Sequence, residues 1–332
     1  MLRLLSLFLV AALLAAAAAT GYAWWFMTSP IPLAEDKVAF TIAPGSGLRA
    51  ATRQMNAAGI RVQPLAFEAL GRFEGKALEI KAGSYELSRG ARPADLLDKI
   101  TRGDFALAEV RFIEGWTFRQ LREALDAHGD LRHETRGLAE AEIMRRIGAG
   151  DLPAEGWFFP DTYRFAKQSP DLDVLKAAHA AMRKHLAAAW ERRAPETPLR
   201  SEHEALILAS IVEKETGRPE DRGRIAGVFV NRLRAGMRLQ TDPTVIYGLG
   251  SRFDGNLRRR DLETDTPWNT YTRDGLPPTP IAMPGLASLE AATRPEPTDA
   301  LYFVARGDGS SEFSRSLSDH NRAVRKYQLG GR

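Results

Sequence analysis

The most chemically suggestive stretch of this 332-residue sequence is Ala205-Leu206-Ile207-Leu208-Ala209-Ser210-Ile211-Val212-Glu213-Lys214-Glu215-Thr216-Gly217. Seven of its first eight residues are apolar, which predicts a helix buried on more than one side. Glu215 follows Val212, Ile211 and Leu208 by three, four and seven positions, so its side chain lies along an apolar stripe. It also falls in the last turn, where the helix dipole disfavours negative charge. Both effects penalise the ionised carboxylate and favour a protonated acid near neutrality. Such an acid can give a proton to a leaving oxygen, as glycosidic cleavage requires. Glu213 is the rival, about 200° round a helix of 3.6 residues per turn, so the two carboxylates point to opposite sides. The plainer alternative is that Glu213, Lys214 and Glu215 form a solvated helix end.

Other chemistries fit poorly. There are no cysteines, which excludes disulfides, thiolate metal sites and cysteine nucleophiles. The six histidines, His128, His133, His179, His185, His203 and His320, include no pair at the i, i+4 spacing of a zinc-protease helix. No Gly-x-Ser-x-Gly elbow is present, and Gly45-Ser46-Gly47 lacks the third glycine and lysine of a phosphate loop. These patterns call for no metal and no cofactor. Lys and Arg number 46 against 42 Asp and Glu, and a scattered excess of +4 gives no basic stripe for nucleic acid.

The elements that must position Glu215 follow from the rest of the chain. Leu4 to Met27 is uncharged over 24 residues, about 36 Å as a helix, enough to cross a ~30 Å hydrocarbon layer. Tyr22, Trp24 and Trp25 suit the far headgroup region, and Arg3 predicts a cytoplasmic amino terminus with the remainder exported. Ala17-Ala18-Ala19 leaves a cleaved signal peptide as the alternative. Ser29-Pro30-Ile31-Pro32 reads as a stiff linker. A strand–turn–helix pattern then occurs three times: Val38 to Gly59, Ser84 to Gly103 and Glu109 to Gly129. Its turn glycine precedes its closing glycine by 14, 13 and 14 residues. An extra helix, Pro64 to Phe73, lies between the first two copies. From Ala139 the pattern predicts helices over Ala139–Ile147, Leu172–Arg193, Glu202–Thr216 and Pro219–Ala235. Met237 to Pro284 reads as a long functional loop rich in Gly, Pro, Asp, Asn and Thr. A strand over Leu301–Val304 and a helix near Asp319–Gln328 complete the reading.

Several blocks of the sequence resemble one family. They are Glu155-Gly156-Trp157-Phe158-Phe159-Pro160-Asp161-Thr162-Tyr163, the Ala209–Thr216 block, Val228-Phe229-Val230-Asn231-Arg232-Leu233, and Met237 to Gly248. Asn269-Thr270-Tyr271, Gly275-Leu276-Pro277-Pro278 and Leu301-Tyr302-Phe303-Val304 complete the set. Together they resemble the endolytic murein transglycosylases (YceG-like), single-pass inner-membrane enzymes of bacterial cell-wall synthesis. The resemblance implies an α+β chain with a transmembrane anchor over 1–28, a linker over 29–37, a LysM-like domain over 38–108 and a mostly helical catalytic domain over 109–332. The third copy of the repeat departs from that division, since it would join the two domains. The resemblance places the catalytic acid/base on Glu215. Gln240, Tyr247, Asn269 and Tyr271 are polar groups within these blocks and suit substrate contact, with turn formation and packing as the alternative for each.

The implied reaction is lyase cleavage of the β-1,4 bond between N-acetylmuramic acid and N-acetylglucosamine, leaving 1,6-anhydro ends on nascent glycan strands. The implied partners are peptidoglycan, the inner membrane and peptidoglycan synthases. Two alternatives stay open: a hydrolytic muramidase with Asp242 or Asp161 as second carboxylate, and a membrane-tethered wall-binding scaffold.

Overall fold

A computed structural model of the chain describes residues 2–330, with side chains from residue 5 onward, so the Arg3 charge and the last two residues lie outside the described part. The chain is a mixed helix and strand protein, about half helical, with three two-stranded sheets. It forms two compact units. The first comprises Met1–Glu109 with two short returns, Asp130–Arg132 and Arg164–Ser169. The second holds Val110–Gly129, His133–Tyr163 and Pro170–Arg332.

The first unit begins with α1 (Leu2–Thr28), whose stretch Leu5–Thr28 is long and apolar enough to cross a membrane. Strand β1 (Lys37–Ile42) leads to α2 (Leu48–Ala57) and α3 (Pro64–Phe73), and β2 (Gly83–Ser88) leads to α4 (Pro93–Arg102). Strand β1 alternates exposed and buried residues and pairs antiparallel with β2, so Val38 faces Leu87 and Phe40 faces Tyr85. The rings of Phe40 and Tyr85 stack at 5.3 Å. Beneath them the helices bury Ala51, Met55, Phe67, Leu96, Leu97 and Ile100. The segment after α1 is no free tether: Ile31 is buried and its N–H donates to the carbonyl of Ala91 at 2.8 Å, while Phe26 of α1 enters the same core.

The threefold pattern is present as β1–α2, β2–α4 and β3 (Leu107–Arg111) followed by α5 (Phe118–Asp126). The closing glycines of the first two copies, Gly59 and Gly103, have φ of 94° and 77°, the left-handed conformation that glycine adopts at least cost. Gly129 is not left-handed; α5 stops instead at Ala127, in the αR region. The helix of this third copy lies in the second unit.

The chain continues with α6 (Glu140–Arg146) in the second unit, β4 (Thr162–Ala166), which pairs with β3 and from Arg164 onward belongs to the first unit, and α7 (Asp171–Glu191) in the second. Next come α8 (Glu202–Glu215), a 3-10 turn at Pro219–Asp221, and α9 (Arg222–Arg234). The single helix expected over Pro219–Ala235 is thus two pieces. The expected long loop over Met237–Pro284 also needs correction, because it contains α10 (Asp242–Leu249), a 3-10 turn at Gly250–Arg252 and α11 (Arg259–Glu263). Helix α12 (Leu286–Thr293), the hairpin β5 (Tyr302–Ala305) and β6 (Ser311–Ser314), and α13 (Leu317–Tyr327) finish the chain.

Helix α8 is the centre of this unit and packs against α7, α9 and α12. Every residue from Ala205 to Val212 is buried. Its single polar member there, Ser210, donates to the carbonyl of Ile207 at 2.7 Å and accepts the N–H of Ile281 at 3.0 Å, so this buried hydroxyl is fully paired. Helix α9 lets the chain after α12 come close at Gly227, where a Cβ would stand 2.7 Å from the carbonyl oxygen of Glu296. One turn further on, Asn231 donates to the carbonyls of Thr298 and Ala300 at 2.8 and 3.1 Å, which places β5 alongside the end of α9.

Candidate active site

The exit of α8 separates its three charged residues. Glu213 turns to α12, where its Oε2 accepts the N–H of Gly285 at 3.0 Å and the hydroxyl of Ser288 at 2.7 Å. It satisfies N-terminal groups of that helix from outside, with charge of the favourable sign. Lys214 donates to the carbonyl of Gly115 at 3.3 Å. Glu215, the last helical residue, turns into a cavity of about 600 Å³. Thr216 leaves the helix in an extended conformation and donates its hydroxyl to Val212 at 2.6 Å, which fixes the exit.

Asp242, Gln240, Arg232, Tyr271, Tyr302 and His320 line the same cavity. Burial pushes the carboxyl of Glu215 above its ordinary range, and the nearby charge of Asp242 pushes it further. A hydrogen bond from the Thr241 hydroxyl and the charge of Arg232 act the other way. Burial is the largest of these effects, ahead of any single neighbouring charge. Burial therefore favours the neutral form of this carboxyl, and the Thr241 hydroxyl and Arg232 are the groups that favour its ionised form.

Arg232 is held by the protein backbone. Its Nε donates to Leu301 at 2.7 Å and its Nη1 to Leu239 at 2.7 Å and Arg238 at 3.3 Å. Its guanidinium lies over the Tyr302 ring at 5.1 Å, and that ring stacks on His320 at 5.3 Å. Tyr302 and His320 therefore bring two stacked rings to the wall of the cavity that holds the acid. Asp242, the first residue of α10, accepts the hydroxyl of Tyr271 at 2.5 Å. Thr241 is fixed through its N–H, which donates to the Thr270 hydroxyl at 3.1 Å; the Thr244 and Thr270 hydroxyls lie 2.9 Å apart.

The four suggested contact residues separate into two pairs. Gln240 and Tyr271 line the cavity. Gln240 has φ of 47°, a left-handed conformation for a side-chain-bearing residue, and such strain gathers at functional sites. Tyr247 lies outside the lining; its hydroxyl reaches Glu155 and Thr279, and its ring meets Trp268 edge-on at 5.5 Å. Asn269 is fully buried and donates to the carbonyls of Asp261, Leu262 and Thr264 while accepting the N–H of Tyr271 at 2.8 Å. It ties the end of α11 to the loop that carries Tyr271. Asp161 is exposed and accepts the N–H of Thr162 at 2.7 Å; it does not line the cavity with Glu215.

Sequence reasoning missed Thr241, Arg232, Tyr302 and His320 as neighbours of the acid. It also missed Glu155, which is 7% exposed and accepts the N–H of Phe118 at 3.0 Å. Burial raises its carboxyl to about 7 against the opposing hydrogen bonds of Phe118 and Tyr247. Asp126, His133 and Asp171 each bring one potential ligand atom within 4.8 Å of the others. Asp171, however, already accepts from the Thr135 hydroxyl at 2.6 Å and from the backbone of Glu134 at 3.0 Å, and Arg136 lies 3.7 Å from Asp126.

Residues 40–326 match the model of the YceG-like family. The chain belongs to that family. This YceG-like chain is 31% identical over 307 residues to a Bacillus subtilis protein named endolytic murein transglycosylase, an alignment covering 87% of this chain and 84% of the relative. A Streptococcus pneumoniae protein of the same name is 27% identical over 356 residues, covering 95% of this chain and 63% of that longer protein. A crystal structure of a YceG-like protein from Listeria monocytogenes has a TM-score of 0.55 and 29% identity, over 87% of this chain and 99% of that one. These blocks of the YceG-like chain therefore include both Glu215 and the segment 237–248 that brings Thr241 and Asp242 to it.

Proposed function

We propose that the protein is an endolytic murein transglycosylase, a lyase acting on peptidoglycan with Glu215 as its single acid and base. The observation that carries this reading is a buried carboxyl facing a cavity, its pKa raised by that burial, with a hydroxyl donor, Thr241, directed at it. The names of the relatives supply the substrate class.

In the reaction, Glu215 protonates the glycosidic oxygen between N-acetylmuramic acid and N-acetylglucosamine as that bond breaks through an oxocarbenium-like state. The resulting carboxylate takes the proton of the muramyl 6-hydroxyl, whose oxygen attacks the anomeric carbon and closes the 1,6-anhydro ring. The proton is returned, no water is consumed and no metal or cofactor is called for. Gln240 and Tyr271 contact sugar directly, whereas Asn269 and Tyr247 act by holding the loops. Cleavage inside nascent strands would end their elongation, alongside the synthases that make them.

Leu5–Thr28 serves as a single inner-membrane anchor, with the rest in the periplasm, and residues 38–108 form the LysM-like module that the family resemblance implies. A second reading, hydrolysis with two carboxylates, is favoured by Asp242 lining the same cavity. Mass spectrometry of glycan released from purified sacculi tests both. Anhydro ends support the lyase, reducing ends support hydrolysis, and no release at all would leave a wall-binding scaffold.

A further inference from the structure

Helix α3 carries more apolar surface than the core uses. At about 100° per residue, Phe67, Leu70 and Gly71 face the core, while Leu65, Ala69 and Phe73 share a separate exposed sector about 80° wide, with half-buried Ala66 at its core-side edge. Phe73 is 85% exposed and Leu65 65% exposed. Between this sector and α1 runs a groove of about 600 Å³, walled by Ala19, Thr20, Tyr22, Ala23, Phe26 and Met27 on one side and by α3 on the other. Glu68 and Arg72, with Arg49 beside them, form an ion-paired cluster on the remaining face of α3.

The height of this groove follows from α1. If Trp24 and Trp25 sit among headgroups, Ala19 and Thr20 lie about 6–9 Å deeper, at 1.5 Å per residue. The groove then opens at a level where the surrounding medium is hydrocarbon. Helix α3 cannot drift from that level, because Phe26 and Ile31 enter the core of the first unit and α1 packs against both α3 and α4.

We propose that α3 is a second membrane-contacting element: its Leu65–Phe73 sector and the groove against α1 are filled by lipid acyl chains of the bilayer that α1 spans. The surface is continuous with the lipid-facing side of the span, and this continuity favours lipid over a second protein as occupant. Large exposed apolar patches mark contact surfaces. The inference rests on the reading of α1 as an anchor. Its consequence is that the first unit sits down on the membrane instead of hanging from it.

The sequence has no cysteine, so a single introduced thiol gives one labelling site. The full chain carrying Phe73→Cys, Val10→Cys or Asp104→Cys, each with a nitrobenzoxadiazole label, is placed one copy per nanodisc of phosphatidylethanolamine and phosphatidylglycerol. The quencher is doxyl-labelled acyl chain. The labels at 10 and 73 should lose most of their emission and the label at 104 should keep it. Quenching at 10 but not at 73 would overturn the proposal and leave the anchor intact. Quenching at neither would remove both. Cross-linked dimers of Phe73→Cys in two-copy discs, without quenching in single-copy discs, would assign the groove to a second chain and overturn the lipid.

Discussion

The hydroxyl of Thr241 donates to the carboxylate of Glu215 across 26 positions of sequence, from the residue that caps α10 to the residue that ends α8. A donor there favours the ionised carboxylate, and Asp242, next along the chain, opposes it. Two adjacent residues thus adjust one acid in opposite directions, which their variants should reveal.

Thr241→Val should move the alkaline limb of the kcat/KM profile to higher pH, since it removes a donor that favours the ionised carboxylate. Asp242→Asn should move it to lower pH. Glycan release measured across pH reads both shifts. Shifts of the same sign in the two variants would contradict the arrangement, and near-complete loss in Asp242→Asn would favour hydrolysis.

Glu215→Gln keeps the shape and removes the proton. Activity on sacculi should fall about 10²–10⁴-fold, the usual range for a general acid–base group. Thermal stability should hold or rise, because the site already penalises a charge. Retained turnover would end the assignment.

Glu213→Ala should act on stability alone. It strips the Gly285 N–H and the Ser288 hydroxyl of their acceptor, at a cost of about 1–2 kcal/mol. Denaturant midpoints should fall while turnover below the transition changes little. An activity loss as deep as that of Glu215→Gln would show that the two acids work together.

Glu155 gives a pH signature in folding. Its folded-state value of about 7 stands above the ordinary 4.5, so the folded protein holds this proton more tightly than the unfolded chain. Stability from this group is fully present below about 4.5 and is lost as pH rises towards 7, by about 3 kcal/mol in all. Glu155→Gln should flatten that part of the stability–pH curve, as urea unfolding at several pH values would measure. A parallel curve for the variant would mean that Glu155 ionises normally.

The burial of Glu215 was legible as a possibility because one helix carries the signal, seven apolar residues of eight and an acid in the last turn, but the spacing left a solvated helix end open and only the family resemblance singled out this acid. The repeat was legible for the same local reason, since Gly59 and Gly103 stop helices of standard length. Thr241 and Asp242 were not, because a contact across 26 residues leaves no periodic trace. Helices α10 and α11 are eight and five residues long, too short to show a period among Gly, Pro and Asp, so they read as loop. Strands β4 and β6 are equally short. Asn269 looked like a contact residue because its amide is polar; only the placement of three carbonyls around it shows a clamp.

The enclosure of α8 reaches beyond packing. All eight residues from Ala205 to Val212 are buried, so their amides should exchange with solvent as slowly as any in the second unit. The acid is mounted at the end of that buried helix, so heating should abolish turnover and melt the second unit at one temperature, with no interval in which it is intact yet idle.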